Sequence, residues 1–303
     1  MVLGFTQSPS IIGIEHGMII DAHTHRYPDE VMANPTAFAD RAGEQMWIQM
    51  VAPQKGPSLQ GWSDRQTMLK DMDDAGVGRC VLLGWYWENV DTCLEANQWH
   101  RQWIQQDPDR FIAFLSLKPG IPNLLNYLMQ AKEDGFSGIG ESHPWVQGFS
   151  MKDSLWMEAM EFACEQGWPV NFHVTDPHGK DYPGKTLTPM EDFIWLANEF
   201  PDLKIILAHA GALWPIDQKM PRNIYYDLAA CPLLYPSNIY PKLIRAVGSD
   251  RILWGSDYPL RIYPSQRKEP DFASFLDEFK RSVSPSSSEL SGMLGGNFLT
   301  LLR

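Results

Sequence analysis

Eight short apolar runs punctuate this chain at intervals, and helix-compatible stretches fill most of the gaps between them. They begin near Met18, Arg79, Phe111, Ser137, Pro169, Lys204, Asn223 and Arg251, and read MIIDAHTH, RCVLLGW, FIAFLSL, SGIGES, PVNFHV, KIILAH, NIYYDL and RILWGSD. Several are nearly continuous in hydrophobicity, as parallel strands covered on both faces must be. The gaps at 63–76, 91–106, 122–135, 150–167, 189–200, 240–247 and 271–282 read as helices. The stretch 150–167 places Leu155, Met160, Phe162 and Ala163 at helical spacing, and 189–200 opens on Pro189 and stops before Pro201. Strands that alternate with helices imply βαβ units and a parallel sheet. Eight such units in 303 residues fit a closed α/β barrel, the (β/α)8 TIM fold. The rival is an open doubly wound sheet, which usually carries a glycine-rich turn after its first strand. Here the first strand runs instead into His23-Thr24-His25-Arg26.

The chain therefore reads as one barrel domain over 1–303, with a long connection at 26–78 as an insertion or lid within it. That connection holds Pro28, Pro35, Pro53, Pro57, Trp47 and Trp62. Long connections in compact domains often serve as covers or binding loops.

Composition narrows the function classes. The net charge is −12, and the 25 Lys and Arg form no long basic run, which argues against nucleic acid as a partner. No apolar stretch approaches the ~20 residues of a membrane span. The segment 1–17 lacks a basic region followed by an apolar core, so it does not read as a secretory signal. Cys80, Cys93, Cys164 and Cys231 are far apart and form no Cys-x-x-Cys pair, which fits free thiols in a reduced compartment. The expectation is a soluble cytoplasmic protein with a small-molecule substrate, no nucleic-acid or membrane partner, and room for homo-oligomers.

Chemistry-bearing residues gather at strand ends. His23 and His25 lie two apart on a strand, so their imidazoles share a face. Glu141 ends the fourth run, His173 the fifth, His209 the sixth and Asp257 the eighth. In a barrel the carboxyl ends of the strands surround the active site. Imidazoles and carboxylates converging there suit a divalent metal: zinc takes three or four such donors and keeps an open position when catalytic. A lone histidine at a strand end is as often an ordinary polar residue, but four of eight histidines so placed form a constellation. His16 and His100 read as solvated, and His143 and His178 as loop residues that either reach a substrate or, at least as readily, lie on the surface.

The stretches Asp21-Ala22-His23-Thr24-His25, Asn171-Phe172-His173, Leu207-Ala208-His209-Ala210-Gly211 and Trp254-Gly255-Ser256-Asp257-Tyr258-Pro259 resemble the amidohydrolase superfamily, in its amidohydrolase-related (amidohydrolase 2) branch. The Gly295-Gly296-Asn297-Phe298 ending is similar too, and the likeness runs from about residue 18 onward. This resemblance implies a (β/α)8 barrel holding one or two divalent metals, most simply Zn²⁺. It implies His23, His25, His173 and Asp257 as ligands, with His209 as a ligand or as the group that polarises the substrate. Many two-metal members carry a modified lysine on strand four; this chain has Glu141 there, read as a further ligand. Its alternative is a carboxylate that only orients the histidines.

Two reactions fit that set. The first is hydrolysis of a lactone, amide or ester-like bond by metal-activated water, with Asp257 as general base then acid and His209 holding the electrophilic oxygen. The second is metal-dependent, non-oxidative decarboxylation of an aromatic or unsaturated acid. A barrel that binds no metal is the third reading, against which the intact ligand set stands. Trp85, Trp87, Trp145, Trp214 and Tyr258 are candidates for an aromatic pocket, with packing as the plainer role.

Overall fold

The computed structural model describes residues 17–54 and 57–303. Eight parallel strands pair in sequence order: β1 (Ile19–Thr24), β2 (Val77–Leu82), β3 (Phe111–Leu115), β4 (Phe136–Ser142), β5 (Val170–Phe172), β6 (Ile205–Leu207), β7 (Ile224–Asp227) and β8 (Ile252–Leu253). The last strand returns to the first. Ala22 N–H donates to Trp254 O at 2.9 Å, His25 N–H to Tyr258 O at 2.7 Å, and Asp257 N–H to His23 O at 2.9 Å. The eight runs thus form the (β/α)8 barrel that their spacing predicts.

The segment between β1 and β2 is helical: α1 (Asp29–Ala33), α2 (Pro35–Ala42), α3 (Gln45–Val51) and α4 (Arg65–Ala75). Of these, α4 is the crossover helix that any parallel pair needs. It starts on the Asp64 carboxylate, which accepts from Thr67 N–H, and ends at Gly76 with φ 71°. The shorter helices α1 to α3 build a satellite core of Tyr27, Val31, Phe38, Trp47, Val51, Trp87 and Trp99. The segment was expected as one long insertion; part of it is ordinary barrel architecture.

The remaining helices follow the gaps. They are α5 (Val90–Gln106), α6 (Leu124–Glu133), α7 (Pro144–Gln147), α8 (Ser154–Gln166), α9 (Met190–Glu199), α10 (Trp214–Asp217), α11 (Cys231–Leu234) and α12 (Ile239–Val247). Then come α13 (Ala273–Ser282), α14 (Ser287–Ser291) and α15 (Asn297–Leu301).

Two cores result. The larger lies between strands and helices. The smaller joins Ile20 and Ala22 of β1, Val81 of β2, Ile112 and Phe114 of β3, Ile206 of β6 and Leu253 of β8. Strands from opposite sides of a ring can meet only through its interior, so this cluster fills the barrel. Phe298 and Leu301 of α15 complete it. Among the described residues, no helix is long and apolar enough to cross a membrane. The four cysteines are free, as expected.

Candidate metal centre

The strand-end residues converge. His23 Nε2 lies 3.2 Å from His25 Nε2. Asp257 Oδ1 is 3.3 Å from His25 Nε2 and 3.9 Å from His23 Nε2. Glu141 Oε2 is 3.8 Å from His25 Nε2, while Glu141 Oε1 is 2.9 Å from His173 Nδ1 and 3.7 Å from His209 Nε2. His209 Nε2 lies 3.1 Å from His173 Nδ1. Glu141 therefore joins two clusters with metal-binding spacing, one with His23 and His25 and one with His173 and His209. All six side chains expected at the mouth are brought together there.

Three of the four rings, those of His23, His25 and His209, are gripped from behind. His25 Nδ1–H donates to Leu83 O at 3.1 Å, and His209 Nδ1–H to Ala229 O at 2.9 Å. A carbonyl oxygen only accepts, so both rings carry their proton on Nδ1 and turn a lone pair inward from Nε2. His23 Nδ1 lies 2.9 Å from Asp227 Oδ2. The same carboxylate accepts from Asn171 Nδ2 at 2.8 Å and from Ala229 N–H at 3.0 Å. Such partners behind metal-binding histidines fix ring orientation and raise basicity.

This donor set fits a cation. Facing lone pairs 3.2 Å apart repel unless a proton or a metal ion lies between them. The charge balance says the same. Burial works against a charged His23, yet the carboxylates of Asp227 and Glu141 outweigh it and push its pKa up to about 10. Burial would raise Asp257 as well, but the His25 hydrogen bond and the nearby histidines hold it far below the ordinary carboxylate range. Buried carboxylates thus demand positive charge at this point, and a divalent ion supplies it.

Backbone geometry aims two of the donors. Asp257 has φ 69°, in the left-handed region, and its N–H and C=O are bonded to His23 O and Leu260 N. His209 opens a left-handed turn in which His209, Ala210, Gly211, Ala212 and Leu213 have φ between 51° and 61°. Such residues cost roughly 1–2 kcal/mol each and persist where the surroundings over-determine them.

The cage forms the floor of a cavity of about 510 Å³. Its walls are largely apolar and aromatic, with Met50, Val51, Trp85, Tyr86, Leu233 and Leu260 prominent. The 26–78 segment contributes Tyr27, Gln49, Pro53, Pro57, Leu59 and Gln60, and the stretch after β5 contributes Val174, Thr175, Asp176 and 179–183, but not His178. Of the aromatic candidates, Trp85 lines this cavity. Trp87 packs in the satellite core, Trp145 against Phe193, and Trp214 against the main core. The Tyr258 hydroxyl is taken by Ser63 and Asp71.

The other histidines divide differently from expectation. His16 lies outside the described residues. His100, expected on the surface, is 1% exposed, because α5 turns it inward towards Phe114 O. His143 is buried and stacks on His173 with ring centres 5.2 Å apart; it does not line the cavity. His178 is exposed. Asp227, Asn171, Tyr27 and Tyr86 escaped the sequence reading. Asp227 carried a signal all the same, since NIYYDL is an apolar run ending in a carboxylate like the eighth.

A family model described as Amidohydrolase matches residues 20–303. Among solved structures, the chain is similar to a 5-carboxyvanillate decarboxylase from Sphingomonas paucimobilis, at 16% identity over 95% of this chain and 99% of that one, with a TM-score of 0.72. It is similar to a 2,6-dihydroxybenzoate decarboxylase from Rhizobium at 15% identity, over 94% and 98% of the two chains, with a TM-score of 0.64. A dihydroxybenzoic acid decarboxylase from Polaromonas, bound to manganese and the inhibitor 2-nitroresorcinol, gives 17% identity over 94% and 97%, with a TM-score of 0.63. At these identities the likeness is one of fold.

Proposed function

The chain belongs to the amidohydrolase family, and from that premise we propose that it is a metal-dependent, non-oxidative decarboxylase of a small aromatic acid. The observation that carries this reading is the cavity: aromatic and apolar walls that end on a cage of imidazoles and carboxylates. A flat ring fits such walls, and its carboxylate fits the cage. The three similar enzymes named above are decarboxylases, which favours this over hydrolysis, the first expectation from the motifs.

His23, His25, Glu141, His173 and Asp257 would hold the ion, with His209 beside them as ligand or as substrate-polarising group. Manganese is the first ion to test, ahead of zinc, because the Polaromonas enzyme holds it. Held there, the ion would supply a fixed positive charge beside the substrate's carboxylate.

The protein's own groups do the rest. Asp257 lies at the cavity floor, 3.3 Å from His25 Nε2. Decarboxylation consumes one proton for each CO2 released: Asp257, protonated by solvent acid at the mouth, would deliver that proton to the ring carbon bearing the carboxylate and return to its carboxylate form. The carbon–carbon bond then breaks, its electrons restore the aromatic ring, and CO2 leaves. The wall of Met50, Val51 and Leu59 covers the ring and limits water at the reacting carbon.

The test is a substrate panel with manganese-loaded protein: hydroxylated benzoic acids beside lactones, with CO2 and cleaved or ring-opened products measured together. CO2 release from an aromatic acid supports the reading. Lactone opening without CO2 from any acid overturns it.

A further inference from the structure

The cavity must recognise more than a ring and a carboxylate, and its polar groups say what. Among the described residues that line it, Lys180 is the one lysine or arginine, and it sits exposed at the solvent side. A second carboxylate buried on the ring would meet no cation among these described residues. A neutral oxygen needs only a donor, and one stands in the wall.

Tyr86 is 2% exposed and follows β2 in the stretch Gly84-Trp85-Tyr86-Trp87. Its ring is fixed on three sides. It stacks on Trp85 with centres 4.0 Å apart, and lies 5.0 Å from the rings of both His143 and His173. Its hydroxyl has one partner among the described residues, the Met50 sulfur at 3.7 Å. A thioether is a poor acceptor, so a buried O–H aimed at it is close to unsatisfied. A phenol keeps its proton at neutral pH, so the hydroxyl is a donor. Both Tyr86 and Met50 line the cavity, which places this donor in the wall beside the His173 end of the cage.

We propose that Tyr86 is a specificity-determining residue: its hydroxyl donates to an oxygen substituent on the ring of a monocarboxylic aromatic acid. This rests on the decarboxylase reading and narrows it to hydroxylated or alkoxylated benzoic acids with a single carboxylate. A site with a buried donor rejects a ligand that leaves the donor unpaired.

The experiment measures binding of benzoate and of 2-, 3- and 4-hydroxybenzoate to the manganese-loaded protein by calorimetry. In the native protein at least one hydroxybenzoate should bind about five- to tenfold more tightly than benzoate, the share of one neutral hydrogen bond. Tyr86→Phe keeps the ring against Trp85, His143 and His173; it should abolish that preference, leave benzoate binding within about twofold, and leave manganese content unchanged. Met50→Leu removes the sulfur but not the phenol, and the preference should survive it. Three results overturn the inference: no preference in the native protein, a preference unchanged in Tyr86→Phe, or a preference lost equally in Met50→Leu. If neither benzoate nor any hydroxybenzoate binds, the aromatic-acid reading falls with it, so the two failures are distinguishable.

Discussion

Asp227 Oδ2 stands 2.9 Å from His23 Nδ1, on the side of the imidazole away from the cage. Asp227 is fully buried, and its other oxygen accepts from Ala229 N–H at 3.0 Å. Asp227→Asn keeps the volume but removes the charge and turns an amide N–H₂ towards donors. We expect manganese affinity to fall by about 10- to 100-fold, as for other groups behind metal-bound histidines. Equilibrium dialysis with elemental analysis measures this; an unchanged affinity would show that His23 does not need this support.

Asp257→Asn should retain the metal and lose about 10²–10⁴ of kcat, because an amide offers an oxygen but carries no proton. Carbon dioxide release by the loaded variant, set beside its manganese content, is the measurement. Turnover near that of the native protein would move the proton shuttle to another group.

The cover can be disturbed at one atom. Gly61 N–H donates to Pro259 O at 3.0 Å. A Cβ at Gly61 would come within 2.2 Å of that oxygen and 2.4 Å of the Pro270 side chain. Gly61→Ala must therefore lift residues 57–61 off the loop that follows β8. We expect KM to rise by on the order of 10-fold with metal content unchanged, since displacing substrate-positioning groups costs catalysis before it costs folding. Unchanged kinetics would leave this stretch without a role in substrate binding.

Acid should destabilise the protein through a histidine that is not part of the cage. Burial lowers His100 from 6.5 to about 3. Between those values the unfolded chain binds a proton that the folded one refuses, so stability falls as pH drops. One such group contributes a slope of about 1.4 kcal/mol per pH unit. Urea titrations of metal-free protein between pH 6 and about pH 4.5 should show a shallower slope in His100→Gln. Parallel slopes would place the acid sensitivity elsewhere.

The barrel was legible because each strand is written as an apolar run, and five of the eight also carry a candidate ligand at or just past their end. His23 with His25, and the strand ends at His173, His209 and Asp257, needed only the rule that carboxyl ends share one mouth. Glu141 was legible by the same rule, although the sequence left open whether it binds metal or orients a neighbour. What stayed hidden has no period to reveal it. Tyr86 and Tyr27 sit in the cavity wall because of how β2 ends and how α3 packs, and neither breaks an apolar pattern. His100 looked solvated because a single polar residue in an amphipathic helix does not show which way it turns. The helices α1 to α3 are five to eight residues long, too short for helical spacing to stand out.

Closure of the ring has a consequence for how this protein comes to hold metal. His23 and Asp257 are joined through a backbone hydrogen bond of 2.9 Å, yet they lie near opposite ends of the chain. During synthesis, His23, His25, Glu141, His173 and His209 all emerge before the segment that zips β8 to β1. The early chain can offer imidazoles to a metal but cannot offer the assembled cage. Tight loading must wait for a contact between residues far apart in the sequence, a slow kind to form. Metal uptake during refolding is therefore a clock for docking of the last strand, and its rate should follow barrel closure rather than metal concentration once the ion is in excess.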